Sequence, residues 1–328
     1  MNGPLWVVGG EQKRTLLDQN EWNRFRTAVV TRVDPETGSF ERVLEHRTPP
    51  GRCPDDQPSH IFKAATVDGD TMWLCTQTEV LECALPGFEI RRVISLPCFN
   101  DLHHVTPGPD GTLFVAVTGL DAVAEVSREG ELVRLTSVLG GDVWERFDRN
   151  IDYRKVPTTK PHRSHPNYVF FLDGRPWVTR FEQRDAAPLD LSEDPFRIEI
   201  QGVHDGHVNG GKLIFTAVNG HVVTFDLESG ERCAVDLNRL MEPDDDRPLG
   251  WCRGLHASED GRLAWVGFSK LRPTKLKQNL SWLRNGFKET ARLPTRIALY
   301  DLERPARLRE IDLEPAGLNA IFSIHPAS

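Results

Sequence analysis

Histidine is the residue type whose number and placement in this chain most directly suggest chemistry. The 328 residues include eleven histidines, and eight of them come shortly before apolar segments that predict β-strands. A neutral imidazole is the most common protein ligand for transition metals, and it exchanges protons near neutral pH. The eight residues are His60, His103, His104, His162, His165, His204, His207 and His256.

The first prediction from these residues is a bound divalent transition metal, with Fe, Mn, Zn, Ni and Cu as candidates. A metal that keeps open coordination positions polarises a carbonyl group or lowers the pKa of a bound water. Asp101 and Asp205 lie next to the histidines, where they are expected to orient the ligand rings. The predicted metal ligands are His60, His103, His104, His165 and His204, with His103, His165 and His204 preferred.

The same segments supply candidate catalytic and substrate-binding groups. His207 and His256 are predicted as catalytic residues and as further candidates for metal ligation, and Glu182 as an acid or base. Guanidinium groups bind carboxylate, phosphate or sulfate, which predicts an anionic substrate. A metal-free pocket of histidines and arginines, and a purely structural use of the histidines, are the alternatives. The predicted substrate-binding residues are Arg163, Arg180, Arg253, Asn167 and Asn319.

A repeated hairpin is the element that must position these residues. An acidic residue or asparagine followed by glycine precedes a short apolar strand five times, and such turns are strong hairpin signals. The spacing of the turns, with insertions, fits the roughly 40–50 residues of a four-stranded propeller blade. The turn glycines are Gly69, Gly111, Gly174, Gly211 and Gly261.

A second motif, a strand that ends before an acidic or glycine turn, indicates how the ring closes. Residues 29–34 have this outer-strand pattern, and residues 318–324 resemble an isolated inner strand. Joining the two chain ends in one blade removes exposed sheet edges. We therefore predict an all-β, six-bladed β-propeller in a single domain, residues 1–328; an open β-sandwich is the alternative. The predicted blades are 57–98, 100–137, 161–200, 203–238, 252–315, and 317–325 joined to 3–45.

Two insertions interrupt the repeat. Residues 138–160 mix charged and aromatic side chains, and residues 270–293 are basic, with apolar residues at helical spacing. The second insertion predicts an amphipathic helix that covers the propeller as a lid or forms a dimer contact. Binding to a membrane surface is the alternative for this helix.

Composition excludes several classes of protein. A net charge of −8 argues against nucleic acid as the main partner. We expect no signal peptide and no transmembrane segment, because neither pattern occurs. Six scattered cysteines without Cys-x-x-Cys spacing predict reduced thiols in the core of a cytoplasmic protein. A homo-oligomer remains an open expectation.

Four short segments carry a resemblance to a known family. They are Asp101-Leu102-His103, His165-Pro166-Asn167, His204, and Arg253-Gly254-Leu255 before Val266-Gly267-Phe268-Ser269. In this order, over about residues 95–324, they resemble a family of uncharacterised bacterial six-bladed β-propeller proteins. The resemblance implies the propeller fold and supplies no reaction. In architecture alone the chain is similar to propeller enzymes with a metal on the axis, namely carotenoid-cleaving oxygenases and pectin-fragment lyases, whose local motifs it does not match.

The function predicted from these observations is a metal-dependent enzyme for a small polar or anionic molecule, with its site at the axial mouth. Lyase, isomerase, hydrolase and oxygenase chemistry all remain open at this point. The alternative is a non-catalytic propeller that binds a small ligand, or a protein partner through a blade face or the basic insertion.

Overall fold

The computed structural model of the chain describes residues 1–13, 24–56, 58–242, 245, 247–271 and 293–327. In these residues, 24 strands form six antiparallel sheets of four strands each. The predicted six-bladed β-propeller is therefore confirmed. Within the same ranges, no helix is long and apolar enough to cross a membrane.

Each blade contains four strands in chain order, except the blade that holds both chain ends. That blade, blade 6, begins with β1 (Leu5–Gln12), β2 (Phe25–Val33) and β3 (Phe40–His46). Blade 1 contains β4 (Ala64–Asp68), β5 (Thr71–Cys75), β6 (Val80–Ala84) and β7 (Glu89–Ile94). Blade 2 contains β8 (Leu102–Pro107), β9 (Leu113–Val117), β10 (Ala122–Val126) and β11 (Leu132–Ser137).

The remaining blades follow the same plan. Blade 3 contains β12 (Pro166–Leu172), β13 (Arg175–Arg180), β14 (Asp185–Pro188) and β15 (Phe196–Arg197). Blade 4 contains β16 (His207–Asn209), β17 (Lys212–Ala217), β18 (His221–Asp226) and β19 (Arg232–Asp236). Blade 5 contains β20 (Trp251–Ala257), β21 (Leu263–Ser269), β22 (Arg296–Asp301) and β23 (Ala306–Asp312), and β24 (Ala320–Pro326) completes blade 6.

The closing blade joins the two chain ends as predicted. Its strand order is β24-β1-β2-β3, and Leu5 pairs with Pro326 at one end of the β24–β1 ladder while Gly10 pairs with Ala320 at the other. Gly9 is needed here because a Cβ at this position would overlap the carbonyl oxygen of Ala320. Closure by backbone hydrogen bonds leaves blade 6 as complete as the others.

Hydrophobic cores lie between neighbouring blades rather than within one blade. Trp73 of blade 1 packs with Val115 of blade 2, and Trp6 of blade 6 packs with Phe62 before blade 1. All six gaps between neighbouring blades are filled in this way. The ring is therefore held by apolar side chains that alternate along each strand, as the period of a half-buried strand requires.

The two predicted insertions have different outcomes. Residues 138–160 contain the short 3-10 helices Val143–Glu145 and Tyr153–Lys155, and this segment packs on blade 2 through Val143 and Tyr153. Two further 3-10 helices are Thr118–Leu120 and Leu237–Leu240. The predicted amphipathic helix at 270–293 falls almost entirely on residues 272–292, outside the described residues.

All six cysteines are free thiols. Five of them are buried, as predicted, whereas Cys233 on β19 is exposed, so its assignment to the core was wrong. Its neighbours on that strand are also exposed, because β19 is the outermost strand of blade 4 and faces solvent.

Candidate functional site: two histidine groups on the propeller axis

β-Bulges near the starts of the inner strands shape the axial mouth. In β8, His103 is an extra residue between the pairs Leu102–Val117 and His104–Ala116. Bulges of this kind redirect a side chain and are common next to active sites. The extra residue in β8 therefore places His103 at the mouth.

The same irregularity recurs in the other blades. In β20, Arg253 and Gly254 together oppose only Gly267. In β24, Phe322 is the extra residue, and in β12 Asn167 and Tyr168 oppose a single residue. The segment before β16, which carries His204, also has one residue more than its partner strand. In blade 1 the pairing of β4 is regular from Ala64 onward, and the mouth residue Lys63, just before it, also opposes Cys75, to whose carbonyl oxygen it donates its N–H.

Three imidazoles meet at this mouth. The ring centre of His103 lies 4.9 Å from that of His165 and 5.7 Å from that of His204. Phe322 lies against them, with its ring centre 5.6 Å from that of His204. The structure therefore brings together the three histidines that were preferred from the sequence, although they belong to three different blades.

Two cations and one carboxylate complete what we call the pocket group. The Lys63 Nζ atom lies 5.1 Å and the Arg253 Cζ atom 4.5 Å from the centre of the Phe322 ring. The carboxylate of Asp101 lies 3.2 Å from Lys63 Nζ. The pocket group comprises Lys63, Asp101, His103, His165, His204, Arg253 and Phe322.

The loop that carries His165 is fixed by a carboxylate from the neighbouring blade. Asp121 accepts hydrogen bonds from the backbone N–H groups of Arg163, Ser164 and His165, each at 2.9 Å. Three consecutive donors on one carboxylate define the loop conformation, in which His165 has a φ of 59°. Arg146 also bonds to Asp121, so this buried carboxylate is paired.

The pocket histidines are neutral at neutral pH. Burial, reinforced by the charge of Lys63, lowers the pKa of His103 to about 3. Burial and neighbouring rings hold the pKa of His165 well below its usual value, and burial together with Arg253 does so for His204. Burial alone would raise the pKa of Asp101, but Lys63 and His103 lower it below its ordinary range. Lys63 and Arg253 thus share the pocket with the carboxylate of Asp101, and Arg253 also acts on the buried carboxylate of Asp205, the residue after His204, whose pKa burial raises to about 6.

A second set of axial side chains, the channel group, contains one residue from each inner strand. His104 stacks on Tyr168 with ring centres 3.7 Å apart, and Tyr168 lies 5.2 Å from His207. Burial, with the charge of other channel histidines, lowers the pKa of His207 and His325 to about 3. The channel group comprises Thr66, His104, Tyr168, His207, His256 and His325.

The two groups are electrostatically separate. The charges that act on His103 and His204 are those of Lys63, Arg253 and other pocket residues, whereas those that act on His104 are His207 and His325. The sequence predicted one shared opening for eight histidines. The structure instead divides them, because His103 lies at a bulge and His104 on the regular part of the same strand.

His60 belongs to neither group. Burial, together with Lys13 and Arg47, lowers its pKa to about 4, and it lies near His46, which bonds to the buried carboxylate of Glu79. His60, itself a predicted metal ligand, therefore occupies a separate polar cluster between blades 6 and 1 and is not among the histidines that meet at the mouth.

The other predicted substrate-binding residues have mostly local partners. Arg180 makes two hydrogen bonds to Asp185, of 2.8 and 2.7 Å. The Asn319 side chain accepts a hydrogen bond from the backbone of Gln12. Arg163 is exposed on the loop beside the mouth, as is Glu182, which was predicted as an acid or base. Each of these side chains has a structural or solvent-facing position, and its predicted role stays a prediction.

Asn167 has one side-chain polar atom that could accept a hydrogen bond from a ligand. Its Nδ2 donates to the carbonyl oxygen of Val203 at 2.9 Å, while its Oδ1 is buried without a hydrogen-bond partner among the described residues. It lies at the bulge of β12, between the His165 loop and blade 4. This position suits the substrate-orienting role that the sequence predicted, which stays a prediction.

The donors do not form a preassembled metal site. Among the described residues, no three histidine, cysteine, aspartate or glutamate side chains lie together closely enough to hold a metal ion. As they are arranged here, the pocket histidines do not fit the predicted ligand set, and no chemical step is assigned to a metal. Metal binding stays a prediction for elemental analysis.

Sequence reasoning missed six residues that the structure brings into or beside the two groups: Lys63, Thr66, Asp121, Tyr168, Phe322 and His325. Lys63 is a single cation in the apolar run Ile61-Phe62-Lys63-Ala64. A charged residue in such a run could have indicated a site residue. His325 follows the last strand pattern instead of preceding a hairpin, so the rule that found the other histidines passed over it.

Comparison with known proteins identifies the fold. No family model and no curated protein matches the chain, so the family resemblance stays a prediction. A protein of unknown function from Bacteroides caccae is similar in structure, with a TM-score of 0.59, 12% identity, and 99% of this chain and 98% of that chain covered. A streptogramin B lyase has a TM-score of 0.50, 12% identity and coverage of 95% and 83%. Virginiamycin B lyase from Staphylococcus aureus has a TM-score of 0.46, 15% identity and coverage of 81% and 80%. At 12% identity, the first two similarities show the propeller fold alone.

Proposed function

We propose that this chain is an enzyme that binds a small anionic molecule in the pocket group and acts on it by acid–base chemistry. The observation that carries the proposal is the meeting of Lys63 and Arg253 with three neutral histidines around Phe322. The chemical class of the ligand is a carboxylate or phosphate, which a lysine and an arginine bind together.

Charge favours an anion in this pocket. Lys63 is buried and pairs with Asp101, and Arg253, which is 8% exposed, lies over the Phe322 ring and acts on the buried carboxylate of Asp205. A charge interaction is stronger in a buried site than in water because the effective dielectric is lower. An anionic group close to both cations would therefore be held more tightly than at an exposed lysine or arginine.

The histidines provide the acid–base groups. The pKa values of His103, His165 and His204 are low because burial and nearby positive charge disfavour the imidazolium form. A bound anion supplies the missing negative charge and raises those pKa values toward neutrality, where general acid–base catalysis is most efficient. Proton uptake on binding is therefore expected near the raised pKa values, whereas at higher pH the rings stay neutral and keep one lone pair each.

Calorimetry with a panel of small anions tests the proposal. Citrate, malate, inorganic phosphate and glycerol 3-phosphate are titrated into tag-free protein in two buffers of different ionisation enthalpy. We expect saturable binding of at least one anion, proton uptake on binding, and an affinity at least about tenfold lower in Arg253→Gln and Lys63→Met.

The control removes a cation from an aromatic ring elsewhere in the molecule. Arg92 lies over Trp73 in blade 1, with its Cζ atom 5.8 Å from the ring centre, and pairs with Glu82. Arg92→Gln should leave anion binding unchanged. Absence of binding to the wild-type protein, or equal loss in Arg92→Gln and Lys63→Met, would overturn the proposed function.

Elemental analysis of the same tag-free protein tests the predicted metal separately. Stoichiometric Fe, Mn, Zn, Ni or Cu that is lost in His103→Ala would confirm the sequence-based prediction. It would also require the pocket rings to turn toward a common point. Absence of these metals, with anion binding intact, would leave acid–base chemistry by the protein groups alone.

A further inference from the structure

Hydrogen bonds fix the tautomer of His103. Its Nδ1 atom lies 2.8 Å from the backbone carbonyl oxygen of Asp101. A carbonyl oxygen only accepts, so Nδ1 carries the proton. Because the ring is neutral, Nε2 carries a lone pair.

A chain of hydrogen bonds favours the same tautomer for His165. The hydroxyl of Thr159 has two acceptors for its single proton, the carbonyl oxygen of Gly119 at 2.5 Å and Oδ1 of Asn100 at 3.5 Å, so its oxygen is left to accept from Nε2–H of His162 at 3.4 Å. Neutral His162 then has a lone pair on Nδ1, which accepts from Nδ1–H of His165 at 3.0 Å. His165, like His103, is left with a lone pair on Nε2.

These two lone pairs are open to a ligand. In the part of the chain that the structure describes, no group donates a hydrogen bond to Nε2 of His103 or of His165. The rings themselves are 4.9 Å apart. The pocket therefore offers two acceptors beside the two cations Lys63 and Arg253, which can only donate.

We infer that the molecule bound in the pocket is a hydroxylated or amino-bearing anion: a carboxylate or phosphate with an O–H or N–H group nearby. This inference rests on the proposed function and narrows its substrate class. The anionic oxygens match Lys63 and Arg253, and the O–H or N–H group matches the lone pairs of His103 and His165. The same hydroxyl or amino group is placed where a histidine can take its proton.

Matched ligand pairs test the inference. Malate is compared with succinate, citrate with tricarballylate, and glycerol 3-phosphate with propyl phosphate, since the members of each pair differ in hydroxyl groups. A site that bonds a hydroxyl group discriminates strongly against an analogue without it. We expect the hydroxylated member of at least one pair to bind at least about tenfold more tightly to the wild-type protein.

Variants test whether the imidazoles of His103 and His165 cause the preference for the hydroxylated ligand. His103→Ala and His165→Ala should reduce the preference to less than about threefold while the anion still binds, whereas Arg253→Gln should weaken both members of a pair equally. His221→Ala, on the outer part of blade 4, is the matched control and should keep the full preference. Nitrogen NMR of the imidazoles checks folding and tautomer directly: Nε2 of His103 and His165 should give signals of unprotonated nitrogen.

The outcomes separate this inference from the proposed function. Equal binding of both members of every pair, with affinity still lost in Lys63→Met, would overturn the inference and leave the anion site in place. Protonated Nε2 signals at both rings would overturn it as well. Tight Zn²⁺ binding lost in His103→Ala and His165→Ala would assign the lone pairs to a metal and also overturn it. Absence of all anion binding would instead overturn the proposed function itself.

Discussion

The pocket group and the channel group contain the same residue type on the same inner strands, yet their surroundings differ. His103 and His104 are neighbours in the sequence, but His103 lies at a bulge beside Lys63, whereas His104 lies on the regular ladder against Tyr168. Burial is the main cause of the low pKa values of His104 and His325, and the charges that act on them are those of other channel histidines. Of these two groups, as far as the structure describes them, the pocket group is the one that combines histidines with fixed charges of both signs.

This difference shows that the residues around a histidine indicate its role better than the number of histidines does. His104 has both nitrogens bonded, because Nδ1 accepts from the N–H of Val169 at 3.2 Å and Nε2 lies 3.1 Å from the Thr66 hydroxyl oxygen. It is 1% exposed and serves the structure of the axis. Nε2 of His103 has no hydrogen-bond partner among the described residues, so in our proposal it accepts a hydrogen bond from the ligand.

The largest expected loss of stability comes from filling the space beside the β20 bulge with a side chain. In Gly267→Ala, the new Cβ would overlap the carbonyl oxygen of Arg253 and lie 2.7 Å from Ile321 Cγ2. We expect the free energy of unfolding to fall by about 3 kcal/mol or more, measured by urea denaturation. Gly87→Ala, where nothing lies within 4 Å, should change it by less than about 0.5 kcal/mol. Equal stability of the two variants would show that the bulge is not required.

Removing the carboxylate that holds the His165 loop should affect the pocket group but not the channel group. Asp121→Ala leaves three consecutive N–H groups, one of them buried and two partly buried, without their acceptor, so we expect a loss of about 2–3 kcal/mol. The imidazole NMR signals of His162 and His165 should shift, whereas those of His207 should not. Asp236→Ala, which removes a turn bond to the N–H of Asn238, is the control and should cost about 1 kcal/mol. Shifts of equal size in both groups would contradict the separation.

Acid should destabilise the fold through both groups. Burial lowers the pKa of His103 and His325 to about 3 from an ordinary 6.5. Between these values the unfolded chain binds more protons, so stability is fully present above about pH 6.5 and falls as the pH is lowered toward the folded pKa. Each such histidine contributes about 1.4 kcal/mol per pH unit.

Denaturation at several pH values, with and without a saturating anion, sharpens the comparison between the groups. His103→Gln and His325→Gln should each remove one proton from the pH dependence of the free protein. A bound anion should reduce the contribution of His103 to the pH dependence of stability and leave the contribution of His325 unchanged. An equal response of both variants to the anion would place the two groups in one site.

The smallest expected changes in stability are those of two histidine variants within the channel group. His104→Leu leaves the buried N–H of Val169 without an acceptor and should cost about 1 kcal/mol of stability. His207 is half-buried and has a ring contact with Tyr168, so His207→Leu should change stability by about 0.5 kcal/mol or less. Thermal or urea denaturation measures both. A larger loss for His207→Leu would show that its ring has a structural partner.

Much of the architecture was predictable from the sequence. Turns such as Asp68-Gly69 and Asp110-Gly111 specify hairpins through the left-handed conformation that glycine adopts without strain, and both of these glycines have positive φ. The apolar strands between the turns specify blades, and the unmatched patterns at the two chain ends specify closure. These signals are local, and each is read within a few residues.

The sequence by itself thus determined the six blades, their closure and the presence of histidines near the axis. Only the tertiary structure decided which histidines meet, because a bulge is defined by two strands and one strand alone does not show it. It also brought Lys63 and Phe322 to the pocket from blades 1 and 6. Burial then made the imidazoles neutral, since the free energy of charging a side chain depends on everything packed around it.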